Sequence, residues 1–131
     1  MIIKLLVVLA IVFSVIYLLY INGLATFTNK KALIFLGKYN LNKKEYSATF
    51  KACTGYVKRV LVFNKADNIT FCFNSNLDNG EIKAVINNSK GETIAVLTSE
   101  TPTLTLNITP EKYFLTIEFY KAYGNCNFIC K

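Results

Sequence analysis

The chain has no histidine and no tryptophan, and Arg59 is its only arginine. Without histidine, the commonest general base and the Ser–His and Cys–His nucleophile pairs are gone. A metal site would also lose its usual nitrogen ligand. A lone arginine is a poor basis for reading nucleic acid, which calls for a clustered basic face that includes arginine. The fourteen lysines are scattered along the chain, so the net charge of +7 reads as a solvated surface with mild attraction to anionic polymers or lipids. No nucleic-acid partner is expected. Glycine-rich phosphate loops and dense calcium-ligand series are missing too, and no cofactor is expected.

What is present at once is an apolar run. After Lys4 comes Leu5–Ile21, 17 residues in which only Ser14, Tyr17 and Tyr20 carry a polar atom. In water such a helix would expose most of its apolar surface, whereas a bilayer or a translocation channel accepts it. Gly23-Leu24-Ala25 offers a small-x-small site for cleavage after Ala25, which makes residues 1–25 a secretory signal. Read through Ala25, the same run approaches the roughly 20 residues of a single transmembrane anchor. Tyr17 and Tyr20 would then sit at its outer interface. Both readings stay open, and both place the remainder outside the membrane, secreted or anchored through residues 5–25.

Residues 26–31 read as a polar tether, and 32–131 as one extracytoplasmic domain. From Ala32 the pattern is short apolar runs between turn residues, which predicts strands and no helix. Strands are expected at 33–39, 46–53, 56–63, 69–74, 81–87, 92–98 and 103–109, with two more over 113–120 and 124–130. Ile69, Phe71 and Phe73 alternate with polar neighbours, as do Leu104, Leu106 and Ile108. Tyr113, Leu115, Ile117 and Phe119 form the strongest inward stripe. Hairpin turns are expected at Thr54-Gly55, Asp78-Asn79-Gly80 and Asn88-Ser89-Lys90-Gly91. The fold class that follows is all-β, an antiparallel two-sheet sandwich behind one N-terminal hydrophobic helix.

The second half carries a rhythm of its own. A strand opens at Gly80-Glu81-Ile82 and turns at residues 88–91. Pro-Glu-Lys-Tyr-Phe-Leu-Thr-Ile occupies 110–117, and Gly124 opens the last strand. Over residues 69–130 this resembles small Ig-like or jelly-roll domains of bacterial cell surfaces, which are also appended to secreted enzymes. Lys112 stands where those domains usually place a glycine. The resemblance implies a surface accessory module and carries no catalytic residue over.

Cys53, Cys72, Cys126 and Cys130 are an even set in an exported chain, which predicts two disulfides. Cys126 and Cys130, about 13 Å apart on an extended strand, should not pair with each other. One bridge from Cys53 and one from Cys72 to that pair is the expectation, with the order open. Zinc is disfavoured because Cys53 and Cys72 lie far apart and histidine is missing.

The function expected is non-catalytic binding of a surface protein or glycan. Most of Asp67, Asp78, Glu81, Glu92, Glu100, Glu111 and Glu118 fall in turns as solubilising residues, which leaves a carboxylate-pair hydrolase as the lesser reading. A membrane-held accessory subunit of a larger complex is the other alternative. Phe114 and Tyr120 are both out of phase with the inward stripe and are the candidate binding residues, as an outward aromatic patch.

Overall fold

A computed structural model describes residues 1–22, 26–40 and 44–131, with the backbone alone at 26–29. Helix α1 spans Ile2–Ile21 and has no buried residue. Its twenty residues reach about 30 Å, the thickness of a bilayer's hydrocarbon core. It is long and apolar enough to cross a membrane. The expected cleavage site at Gly23-Leu24-Ala25 lies outside the described residues.

Seven antiparallel strands follow among the described residues: β1 Thr26–Lys31, β2 Ile34–Asn40, β3 Glu45–Val62, β4 Asp67–Asn87, β5 Thr93–Leu97, β6 Thr103–Ile108 and β7 Lys112–Cys130. Thr26–Lys31, expected as a tether, is therefore a strand, paired with β3 from Thr26 opposite Arg59 to Lys31 opposite Thr54. Strands β3, β4 and β7 run 18, 21 and 19 residues, about three times the usual length. Each bends near its middle and serves both layers of the sandwich. One layer has the order β2-β3-β7-β4-β6 and the other β1-β3-β7-β4-β5.

The bends occupy two of the expected hairpin positions. Register slips between Phe50 and Gly55 in β3 and between Leu77 and Glu81 in β4. Positive φ at Ala52, Gly55, Gly80, Lys121 and Gly124 marks the same line across the three strands. Thr54-Gly55 and Asp78-Asn79-Gly80 are thus bulges inside continuous strands, not reversals. Glycine's conformational freedom is used here to kink the chain. No reversal occurs because β7 continues alongside both halves of β3 and of β4. The Asn88–Gly91 turn does form: Asn88 Oδ1 accepts from the Lys90 and Glu92 amides at 3.0 and 2.9 Å.

Each bulge inserts a residue and flips the inward parity, which lets one strand face a single core from both sides. In β3 the buried set changes from Tyr46, Ala48 and Phe50 to Val57, Arg59 and Leu61. In β7 it changes from Tyr113, Leu115, Ile117 and Phe119 to Ala122, Cys126 and Phe128. Rings from the two layers then meet edge to face, Phe50 on Phe119 at 4.9 Å and Phe63 on Phe71 at 6.4 Å. Arg59 is buried between the layers, its guanidinium carbon 3.2 Å from the centroid of the Tyr39 ring. Burial lowers its pKa, which a hydrogen bond to Tyr39 partly restores.

All four cysteines are free thiols, contrary to the two expected disulfides. The register explains it. Cys53 lies opposite Ala122 and Cys126 opposite Ala48, so these two are displaced along neighbouring strands. Cys130 pairs with Phe71, whereas Cys72 pairs with Ile129, and the period of two puts Cys72 and Cys130 on opposite faces. Burial pushes the Cys126 and Cys130 thiols up to about 12 and also raises Cys53, with Lys30 opposing. They act as small core hydrophobes.

Two outcomes are expected. Reductant leaves the melting temperature unchanged, and a thiol reagent at pH 8 modifies the native chain rapidly at no site but Cys72. In addition, the unfolded chain loses thiol protons above pH 9 that Cys126 and Cys130 retain to about 12 when folded. Their contribution to stability is therefore whole below pH 9 and lost as pH rises through 12. Melting temperatures recorded from pH 8 to 11 should fall, and less steeply in a Cys126→Ala/Cys130→Ala chain.

Candidate functional site

A cleft of about 760 Å³ opens along the bend, where the interrupted ladders leave a depression. Three strands and one loop line it. Strand β3 supplies Thr54, Gly55 and Tyr56, and β4 supplies Leu77 and Gly80 to Lys83. Glu118, Phe119 and Tyr120 come from β7, and Thr98, Ser99 and Glu100 from the loop between β5 and β6. Phe119 and Ile82 belong to the core and form the floor. The outward residues of the same strands form the walls.

Cross-strand register fixes the wall residues. Tyr56 lies opposite Glu118, and Glu118 opposite Lys83. Lys83 Nζ and Glu118 Oε2 close to 3.0 Å, with both side chains about half exposed. Such a pair contributes at most about 1 kcal/mol to stability, so its main effect is to hold two polar groups in place. Tyr120 pairs with Glu81, is 57% exposed, and has the Lys121 ammonium 5.5 Å from its ring centroid. The half-buried Tyr56 has Lys58 at 5.1 Å from its own. The Lys121 amide donates to Thr54 Oγ1 at 3.1 Å, tying β7 to β3 beside Tyr120. In the loop, Thr98 Oγ1 accepts from the Glu100 and Thr101 amides at 3.3 Å. This is the local side-chain turn that threonine favours.

The cleft thus offers two phenol rings, the Thr54, Thr98 and Ser99 hydroxyls, three carboxylates and one ammonium. Its formal charge is −2 at neutral pH, which disfavours anionic ligands. Such a lining suits a neutral ligand with apolar faces and many hydroxyls. Among the described residues no cluster of three His, Cys, Asp or Glu is placed to hold a metal ion.

Of the two residues singled out in the sequence, only Tyr120 lines the cleft. Phe114 is half-buried on the same outward face, in a row between Val60 and Asn87. Six residues of extended strand separate the two by about 20 Å, so they do not form one patch. Sequence reasoning names Glu81, Glu100 and Glu118 only as carboxylates of the hydrolase alternative and does not bring them, Lys83 or Ser99 into one cleft with Tyr120, because a reversal at Asp78-Asn79-Gly80 would break the long pairing of β4 with β7. A signal was available: Ile82, Ala84 and Ile86 keep one parity, Phe71 and Phe73 the other, as expected when a bulge lies between them.

No protein-family model matches the chain, and no curated protein matches it. Solved structures of low identity do. The enzymatically active domain of tailspike protein 4 from bacteriophage CBA120 is 6% identical, covers 79% of this chain and aligns with a TM-score of 0.47; the chain spans 18% of that protein's length. The C-terminal CBM6 of LamC, a laminarinase from Zobellia galactanivorans, is 11% identical, with 81% of this chain and 98% of that one covered and a TM-score of 0.45. A family 35 carbohydrate binding module from Clostridium thermocellum is 8% identical, with coverage of 81% and 96% and a TM-score of 0.44. Likenesses of this size leave the ligand to be argued from the residues of the chain.

Proposed function

We propose that the domain is a non-catalytic glycan-binding module, presented outside a membrane that α1 either crosses or guides it through. The observation that carries this reading is the meeting of Tyr56 and Tyr120 with Glu81, Glu100 and Glu118 in one cleft of about 760 Å³. A sugar ring has an apolar C–H face that packs on a phenol ring and a rim of hydroxyls that donate to carboxylates. The volume is that of a small-molecule site and suits a short oligosaccharide. Tyr120 is the principal platform, Tyr56 the second wall, and the Lys83–Glu118 pair a fixed acceptor and donor set.

Binding without turnover is the reading put to the test. Glu118 is engaged by Lys83; Glu81 and Glu100 share the cleft with it, the residue type that glycoside hydrolases use in pairs, so the test reads turnover as well as binding. The test is calorimetric titration of the full chain in nanodiscs with neutral oligosaccharides found by array screening. Tyr120→Ala is expected to weaken binding at least tenfold, about 1.4 kcal/mol, and to shift the unfolding midpoint hardly at all. Phe114→Ala should leave affinity unchanged, and the oligosaccharide should be recovered uncut. Undiminished binding by Tyr120→Ala, or shortened products, would refute the assignment.

A further inference from the structure

The lysines look scattered in the sequence, but the fold gathers the net charge at one edge. Strands β1, β2 and β3 hold Lys30, Lys31, Lys38, Lys51 and Lys58, with the buried Arg59, against Glu45 alone, a net of +5. Residues 63–131 hold six lysines against seven carboxylates. Strands β1 and β2 are the edge strands of the two layers on the same side, both paired with β3. The end of α1 rests against β3, and Tyr20 and Ile21 are the only half-buried residues in an otherwise exposed helix.

The same edge carries an apolar cluster. Leu33, Ile34 and Leu36 are 79, 45 and 70% exposed. Outside α1, only Val96, Leu104 and Tyr120 are comparably exposed large hydrophobics among the described residues, and each stands alone. Lys31, Lys38 and Lys51 are exposed around the cluster, with Lys51 directly opposite Ile34. Apolar side chains ringed by lysines suit the boundary between headgroups and acyl chains of an anionic membrane.

The geometry points to a second membrane contact: the β1–β2 edge lies on the anionic lipid surface of the bilayer that α1 enters, with Leu33, Ile34 and Leu36 dipping among the headgroups. Four residues separate Ile21 from Thr26, a reach of at most about 14 Å. An edge that starts so close to the bilayer can lie flat along it, because β1 and β2 follow end to end beside β3. The contact would fix the domain's orientation on its helix. It depends on α1 being retained in the membrane and is independent of what the cleft binds.

The chain contains no tryptophan, so single tryptophans report position cleanly. Leu18→Trp in α1, Leu36→Trp on the edge and Leu104→Trp on the far strand β6 would each be placed in the full-length chain. Each would be reconstituted into bilayers of brominated phosphatidylglycerol. The expected result is at least twofold quenching of Leu18→Trp and Leu36→Trp, with Leu104→Trp unquenched. Bilayers of brominated zwitterionic phosphatidylcholine, or Lys31→Gln/Lys38→Gln/Lys51→Gln in the Leu36→Trp chain, should remove most of the quenching at residue 36 and leave residue 18 unaffected. An unquenched Leu36→Trp beside a quenched Leu18→Trp would overturn the proposal. So would equal quenching at residues 36 and 104, or a Leu36→Trp signal that answers to soluble polyphosphate and not to lipid.

Discussion

Alanine at Gly80 or Gly124 is expected to leave the domain unfolded or close to it, whereas alanine at Gly91 should cost about 1 kcal/mol. All three glycines have positive φ, at 86°, 141° and 83°, so each substitution carries the left-handed strain of about 1–3 kcal/mol. Surroundings separate them. A Cβ on Gly80 would sit 2.1 Å from the Lys121 carbonyl oxygen, and one on Gly124 2.1 Å from that of Asn76. Both obstacles are backbone of the neighbouring long strand, so relief requires β4 and β7 to part along the bend. A Cβ on Gly91 meets nothing within 4 Å. The ladder between β4 and β7 is the longest in the sandwich, and its disruption is comparable with the 5–15 kcal/mol of a whole domain. Urea unfolding followed by far-ultraviolet circular dichroism measures it. A cooperative transition for Gly124→Ala within about 1 kcal/mol of the parent would contradict the continuous, bent strands.

Phe119→Ala should destabilise by about 3–5 kcal/mol, while alanine at the next residue, Tyr120, changes stability by less than about 0.5 kcal/mol. Phe119 is 4% exposed and packs on Phe50 at 4.9 Å and on Phe35 at 5.7 Å, across the two layers. Its removal leaves a cavity in the floor of the cleft. Tyr120 points outward by the period of two and is 57% exposed. Chemical unfolding of the two variants side by side separates the roles. Equal losses would mean that β7 does not present alternate faces at the cleft.

The alternation that distinguishes those two residues was legible in the sequence, as was the all-β class. Stripes such as Tyr113, Leu115, Ile117 and Phe119 sit against one core in the fold as expected. The joins were not legible. Gly55 and Gly80 supply the backbone freedom of a turn whether the chain reverses or kinks. Only the long-range pairing with β7, which no local window contains, decides between them. The disulfides failed for a related reason. An even cysteine count speaks to compartment, while pairing depends on registers such as Cys53 opposite Ala122. Tyr120 was accessible because parity alone turns it outward. Its partners Glu81, Glu118 and Ser99 were not, since they come together only once three bent strands and a loop are assembled.

The most direct test of the glycan cleft is a backbone-amide NMR map of the full chain in nanodiscs, titrated with a neutral oligosaccharide selected by array screening. The cleft predicts saturable shifts confined to residues 54–56, 80–83, 98–100 and 118–120, abolished by Tyr120→Ala. Shifts centred instead on the opposite outer face, at Ser47, Thr49, Asn125 and Asn127, or no saturable shifts with any such ligand, would contradict it.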